Sequence, residues 1–120
     1  MQPLLSVMAG GALGAGLRYG VSLALPVKAG WPWGTFAVNI FGGLAMGLLA
    51  AGLLKGSVGE TARLFLGVGV LGGFTTFSAF SLEGFRMIEQ GQWGMAGGYA
   101  AASVIGSIAA VAAGYGMMRV

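Results

Sequence analysis

The sequence of 120 residues contains no cysteine, no histidine and no aspartate, and its only carboxylate side chains are three glutamates. These absences exclude disulfides, Cys/His zinc sites and Ser-His-Asp or Cys-His catalytic groups. Charge is also scarce, because 8% of the residues are charged whereas ordinary globular chains carry about 25%. So little charge cannot cover a water-exposed exterior, and the mean hydropathy is +0.87. The composition therefore predicts a protein that lies in lipid.

The few charged residues leave four long uncharged stretches, at residues 1–17, 29–54, 64–82 and 90–118. A helix needs about 20 mainly apolar residues to cross a bilayer. We therefore predict a single all-α integral membrane domain over residues 1–120. Its four transmembrane helices are expected near residues 4–25, 33–54, 61–87 and 93–117. Trp31, Trp33 and Trp93 fall at the predicted helix ends, as is typical of side chains at the membrane surface.

The basic residues are balanced across the predicted membrane. Each side carries three of them: Lys55, Arg63 and Arg119 beside the termini, and Lys28, Arg86 and Arg18 on the other side. The positive-inside rule then favours neither orientation. Such a chain could insert both ways and form an antiparallel dimer that resembles the inverted repeats of transporters. Alternatively, the balance is a coincidence in a chain with few charges.

Glycine is abundant, at 25 of 120 residues, and small residues recur four positions apart. The repeated sets are Gly10/Gly14, Gly16/Gly20, Gly43/Gly47/Ala51, Gly69/Gly73, Gly94/Gly98 and Gly106/Ala110/Gly114. Small residues at this spacing let the backbones of membrane helices approach closely. We therefore expect most of these glycines to serve helix packing.

The run from Gly72 to Ser81 does not resemble a lipid-facing helix. It places a Gly-Gly pair before two threonines, two serines and three phenylalanines. Adjacent glycines loosen a helix, and hydroxyl side chains can bond to the carbonyls that become free. We therefore predict that the third helix is broken at Gly72–Thr76, with carbonyls that could bind a cation. An inert kink is the alternative.

Polar side chains also occur inside the second and fourth predicted spans. Asn39 carries a neutral amide that could join two helices or donate two hydrogen bonds to an anion. Tyr99, Ser103 and Ser107 are four apart, so their hydroxyls share one helical face. They could bond to their own helix backbone or form one wall of a polar track. The apolar Val111 follows in the same register.

Three segments, taken together, resemble the signatures of the Fluc family of fluoride ion channels, the CrcB-type fluoride exporters. They are residues 10–19 (GGALGAGLRY), 34–39 (GTFAVN) and 72–83 (GGFTTFSAFSLE). Their order and spacing match the family, as do the chain length and the four predicted spans. The resemblance implies passive fluoride export across the bacterial inner membrane. It also implies an antiparallel dual-topology homodimer with two pores, whose partners are fluoride, a second copy and the lipid bilayer but not nucleic acid.

The resemblance implies roles for individual residues. A structural sodium ion would lie at the dimer interface, held by the backbone carbonyls of Gly72 and Thr75. Arg18 would lie at an aqueous vestibule, and Glu83 near the pore end. The implied fluoride pathway is lined by Asn39, Phe77, Phe80, Ser78, Tyr99, Ser103 and Ser107. The chain has Ala79 and Val111 where the family often has hydroxyl residues.

Three other function classes are weighed against this one. A proton-coupled small multidrug exporter needs a membrane-embedded carboxylate in the first helix, and residues 1–17 contain none. A membrane anchor gives no purpose to Asn39 or to the polar run in the third span. An enzyme is not expected, because Glu83 and Glu89 are about 240° apart around a helix and cannot form a facing pair.

Overall fold

The computed structural model describes residues 2–119 and contains four helical spans long and apolar enough to cross a membrane. Helix α1 comprises Gln2–Ala24, α2 comprises Trp33–Leu54, and α5 comprises Trp93–Arg119. The third span, Glu60–Glu89, is bent. The prediction of an all-α protein with four transmembrane helices is confirmed, and the chain is a multi-pass membrane protein.

The third span consists of two helical segments joined by two extended residues. The first, α3, covers residues 60–74 and includes a π-helical stretch at Arg63–Leu71 that the sequence analysis did not predict. The second, α4, covers Phe77–Glu89. Thr75 and Thr76 between them have extended backbones, with ψ of 157° and 119°. The predicted break in the third helix is therefore confirmed.

The glycine pair does not cause this break, contrary to the reason given from the sequence. Gly72 and Gly73 are both helical and lie in the last turn of α3. Gly73 instead allows close packing on α1, since a Cβ there would lie 2.5 Å from the carbonyl oxygen of Gly11 and 3.1 Å from the Ala15 nitrogen. Only glycine fits such a backbone contact.

Two pairs of helices pack through glycine. Between α1 and α3 the contact runs along Gly10, Gly14, Gly69 and Gly73. Between α2 and α5 it runs along Gly43, Gly47 and Gly114. These positions confirm the packing expected from their spacing. An added Cβ would meet nothing within 4 Å at four other predicted positions, so these do not pack within the described chain: Gly16, Gly20, Gly94 and Gly98.

The connections are short and turn at glycine. Gly56 and Gly91 adopt positive φ directly after α2 and α4, which is the usual way to end a helix. The α1–α2 connection forms a tight hairpin in which the backbones of Lys28 and Trp31 exchange hydrogen bonds of 2.9 and 3.1 Å.

The three tryptophans lie at or beside helix ends, as predicted, but they differ in burial. Trp33 and Trp93 are 44% and 67% exposed. Trp31 is half-buried, and its ring centroid lies 5.1 Å from that of the fully buried Tyr99. Trp31 differs from the other two because the hairpin turns its indole inward onto α5.

Candidate functional site

The side chain of Asn39 hydrogen-bonds the backbone at the break. Its Nδ2 donates to the carbonyl oxygen of Thr76 at 3.1 Å, and the Thr76 nitrogen donates to its Oδ1 at 2.9 Å. The amide therefore replaces the helical partners that Thr76 lacks outside α3 and α4. One of the two Nδ2 hydrogens is used in this way, which leaves one donor for another acceptor.

The hydroxyl of Thr76 caps α4. Its Oγ1 accepts from the Ala79 nitrogen at 3.2 Å and lies 3.4 Å from the hydroxyl of Ser78. This is the bond expected of an N-cap threonine. The Thr75 hydroxyl donates back to the Leu71 carbonyl at 2.9 Å, which closes the end of α3.

At the break, two backbone N–H groups donate to side chains. In a continuous helix they would donate to backbone carbonyls. In an α-helix the amides of Thr76 and Ala79 would donate to the carbonyls of Gly72 and Thr75, four residues earlier. Here the Thr76 amide goes to Asn39, and the Ala79 amide goes to the Thr76 hydroxyl. The carbonyl oxygens of Gly72 and Thr75 are thus released from their helical partners.

A cavity of about 390 Å³ lies between α2, the break and α5. None of its lining residues is charged. Phe77 and Phe80 contribute tilted rings whose centroids are 5.7 Å apart. The cavity brings together five of the seven predicted pathway residues: Asn39, Phe77, Phe80, Ser103 and Ser107.

The hydroxyls of the fourth span differ in their surroundings. Ser103 is 6% exposed, and its buried Oγ has no hydrogen-bond partner among the described residues. Ser107 lines the same cavity one turn further along, and Val111 closes that wall with an apolar surface. A buried hydroxyl without a partner is costly unless an ion or water occupies the space beside it.

The remaining two predicted pathway residues lie outside this cavity. Ser78 is exposed on the outer side of α4. Tyr99 is fully buried, and its hydroxyl donates to Oε1 of Glu83 at 3.0 Å. Oε2 of Glu83 accepts from the Thr35 hydroxyl at 2.8 Å, so both oxygens of this carboxylate have a donor.

A second cavity, of about 410 Å³, lies on the other side of the break and contains both predicted vestibule residues, Arg18 and Glu83. Thr76 lines both cavities. The Nε of Arg18 donates to the Gly73 carbonyl at 3.1 Å. Its charge is therefore held inside the bundle at the break rather than at the end of the first helix, where the charge count placed it.

Two side chains of the site, Thr35 and Thr76, are not among the pathway and vestibule residues predicted from the sequence. Thr76 could have been found, because threonine directly before a helical run is a common N-cap. Thr35 gave no such signal, because its partner Glu83 is 48 residues away and the fold alone brings the two together.

The architecture defines the class of protein. A broken membrane helix, with a neutral hydroxyl-lined cavity on one side and a charged cavity on the other, is a construction used by membrane transport proteins. A family model described as "CrcB-like protein, Camphor Resistance (CrcB)" matches residues 5–115. The chain belongs to this CrcB family.

Several curated relatives align along nearly the whole chain. A protein of Sphingopyxis alaskensis named "Fluoride-specific ion channel FluC" is 52% identical over 99% of this chain and 97% of its own length. A protein of Phenylobacterium zucineum with the same name is 55% identical over the same shares. One from Chloroflexus aurantiacus, also so named, is 43% identical over 99% and 97%.

Proposed function

We propose that this chain is a fluoride-specific ion channel that lets fluoride leave the cell passively. The observation that carries the proposal is the neutral cavity at the break, which is lined by Asn39, Phe77, Phe80, Ser103 and Ser107. It occurs in a chain about half identical, end to end, to proteins named as fluoride channels. The role is transport rather than catalysis, so no enzyme activity is proposed.

The chemistry of the cavity suits a small, strongly hydrated anion. The free hydrogen of the Asn39 amide, the unpartnered hydroxyl of Ser103 and the positive edges of the phenylalanine rings can replace water around fluoride. A fixed cation would bind the ion too tightly, and none lines this cavity. Weak neutral donors in series let the ion enter and also leave.

The second cavity suits the entry of an anion from water. The guanidinium of Arg18 supplies positive potential at the break. Glu83, in the same cavity, already accepts from Thr35 and Tyr99. These two donors offset part of the negative charge that fluoride would meet there. Thr76, which borders both cavities, marks the point where the ion would pass from one to the other.

A structural sodium ion is compatible with the backbone at the break. The carbonyls of Gly72 and Thr75 have lost their helical partners, and neutral carbonyl oxygens are suitable ligands for a hard cation. Gly72 is exposed in the single chain, so a second subunit could reach it. When bound, the ion would neutralise the negative ends of these carbonyl dipoles and join the two subunits.

An antiparallel homodimer is supported by the outer face of the break. Phe77 is 77% exposed and Ser78 is also exposed, although a serine facing lipid has no water to bond. A second copy on this face would cover both. With Arg18 inside the bundle, the two membrane sides carry three and two basic residues, which still gives little preference for one orientation.

The function is tested by reconstituting the purified protein in liposomes loaded with fluoride and reading efflux with a fluoride-selective electrode. Rapid efflux, with no chloride efflux from matched liposomes, is expected. A multidrug exporter would instead move organic cations in exchange for protons that flow down their gradient. Protein that passes no fluoride would overturn the proposal.

The dimer is tested by fixing the orientation. Two or three added lysines at one terminus should force a single topology and abolish efflux when that variant is expressed alone. Efflux should return on co-expression with a variant biased the other way. Full activity of one fixed orientation by itself would rule out the antiparallel dimer.

A further inference from the structure

Trp31 is an aromatic residue of the α1–α2 hairpin that the proposed pathway does not use. The hairpin turns through Ala29 and Gly30, whose φ angles are 53° and 82°. A left-handed conformation is unfavourable for alanine, and such strain persists where the surroundings enforce it. Here the Lys28–Trp31 backbone pair closes the turn and directs the indole of Trp31 toward α5.

The indole packs edge-on against Tyr99. Their ring centroids are 5.1 Å apart with an interplanar angle of 80°, which is a favourable aromatic geometry. Tyr99 in turn lies 5.1 Å from Phe80, and Phe80 lies 5.7 Å from Phe77. Four rings thus form a continuous aromatic row from the α1–α2 hairpin to the neutral cavity.

Within this row, Tyr99 is the residue whose orientation affects the charge of Glu83, because its hydroxyl donates to that carboxylate. It is fully buried, and its hydroxyl donates to Glu83 in the charged cavity. A tyrosine ring that lost its neighbour on one side could turn into the space and withdraw this hydroxyl. Glu83 would then keep only the Thr35 donor, and its less compensated charge would face the anion.

We propose that Trp31 is a positioning residue of the fluoride pathway, which holds the Tyr99 ring so that its hydroxyl stays bonded to Glu83 and the ring stays packed against Phe80. The inference rests on the proposed function, because holding Tyr99 in this position matters only if an anion passes Glu83. Trp31 itself lines neither cavity and acts through Tyr99.

The hairpin offers a matched control in Trp33. This residue also contacts Trp31, at 5.9 Å between centroids, and Phe36, at 6.1 Å, but it makes no ring contact with Tyr99. It is 44% exposed. Its replacement therefore removes an aromatic side chain from the same hairpin without releasing Tyr99.

The first test compares Trp31→Leu, Trp31→Phe and Trp33→Leu in the liposome efflux assay. Trp31→Leu keeps apolar bulk but no ring, and efflux should fall about tenfold, as expected for losing a hydrogen bond to a charged group. Trp31→Phe restores an aromatic edge and should recover most of the rate. Trp33→Leu should resemble the wild type. Normal efflux in Trp31→Leu, or an equal loss in Trp33→Leu, would overturn the proposal.

A double-mutant cycle with Tyr99→Phe separates positioning from general damage to the fold. Tyr99→Phe already lacks the bond to Glu83, so adding Trp31→Leu should cause much less than the tenfold loss seen in the wild-type background. Independent, multiplying losses would contradict an action through Tyr99. The result does not depend on how stable each single variant is, provided that all four proteins elute as folded species.

A spectroscopic readout tests the contact without fluoride. In a protein with Trp33→Phe and Trp93→Phe, Trp31 is the sole tryptophan, and its emission should be that of a half-buried indole. Tyr99→Leu should shift this emission to longer wavelength, and it should leave the emission of a matched protein with Trp33 as the sole tryptophan unchanged. No shift for Trp31 would overturn the proposal even where wild-type efflux is normal. Absent wild-type efflux would instead disprove the proposed function.

Discussion

The α2–α5 contact and the break in the third span use small and polar residues in opposite ways. Between α2 and α5, Gly47 and Gly114 bring two intact helices together, and each backbone keeps its own hydrogen bonds. At the break, the backbone of Thr76 leaves the helix and is bonded by the side chain of Asn39. Substitutions should therefore act through size in the first region and through hydrogen-bond donors in the second.

The largest expected loss of stability is for Gly47→Leu. A Cβ on Gly47 would collide with the Val111 carbonyl and lie 2.8 Å from the Tyr115 nitrogen, and neither backbone atom can move aside. We expect the free energy of unfolding to fall by about 3 kcal/mol or more, at the upper end of overpacking effects. Thermal unfolding in detergent measures this.

Gly98→Ala is the matched control for that prediction, because nothing lies within 4 Å of the added Cβ in the chain. It should leave the melting temperature almost unchanged. If Gly47→Leu were as stable as Gly98→Ala, the packing described between α2 and α5 would be wrong.

Asn39→Leu should have the next largest effect and should affect both stability and transport. It leaves the partly buried amide and carbonyl of Thr76 without their partners, at up to about 1–3 kcal/mol for each unsatisfied group. Fluoride efflux should also be lost, since one neutral donor is gone. Unfolding and efflux measured on the same preparation check both parts.

Asn39→Asp sharpens this prediction, because the carboxylate can still accept from the Thr76 nitrogen. It adds a negative charge to the neutral cavity, so fluoride should be repelled and efflux lost. Normal efflux in Asn39→Asp would remove this residue from the pathway.

The sequence predicted the spans better than the interactions at the break. Charged side chains are costly in lipid, so the uncharged stretches between Lys, Arg and Glu residues mark the spans. Helix α2, for example, begins and ends at the predicted residues, 33 and 54. The break itself was also predictable, because a run of hydroxyl residues and glycines is unusual in a lipid-facing helix. The predicted range, Gly72–Thr76, contains Thr75 and Thr76, but the sequence did not indicate that the glycines before them remain helical in order to contact α1.

Other features depend on contacts that the sequence does not reveal. The π-helical turns at Arg63–Leu71 leave no mark in an apolar segment, because the sequence pattern is nearly the same for either helix type. Asn39 could be identified as a buried amide but not as the partner of Thr76, which is 37 residues away. The inward position of Trp31 likewise follows from a turn with two positive φ angles, one of them at an alanine.

Phe77→Ile should separate transport from stability more cleanly. Ile keeps most of the apolar bulk of Phe77, so the substitution should lower the free energy of unfolding by less than about 1.5 kcal/mol, even where a second copy covers this side chain. It removes the ring edge from the cavity, and we expect efflux to fall while the elution volume stays the same. Unchanged efflux would mean that the ring does not contact the ion.

Ser103→Ala should have the smallest effect on stability. It should leave the protein equally or more stable, whereas it should reduce transport. It removes a buried hydroxyl that has no partner among the described residues. The free energy of unfolding should therefore stay the same or rise by up to about 1 kcal/mol. Efflux should decrease, since a donor in the cavity is lost. A destabilised protein with normal efflux would show that this hydroxyl serves the fold alone.

The most direct test of the central claim uses the absence of cysteine from the chain. Ser107→Cys places a unique thiol in the neutral cavity, and Ile105→Cys places one inside the fourth span but outside both cavities, at a position 68% exposed in the chain. A thiol reacts as the thiolate, which requires a polar, hydrated environment. A small water-soluble thiol reagent should therefore modify Ser107→Cys, block fluoride efflux, and react more slowly when fluoride is present, while Ile105→Cys stays unmodified and active. An unreactive Ser107→Cys, or a modified one that still passes fluoride at the normal rate, would contradict the assignment of this cavity as the fluoride pathway.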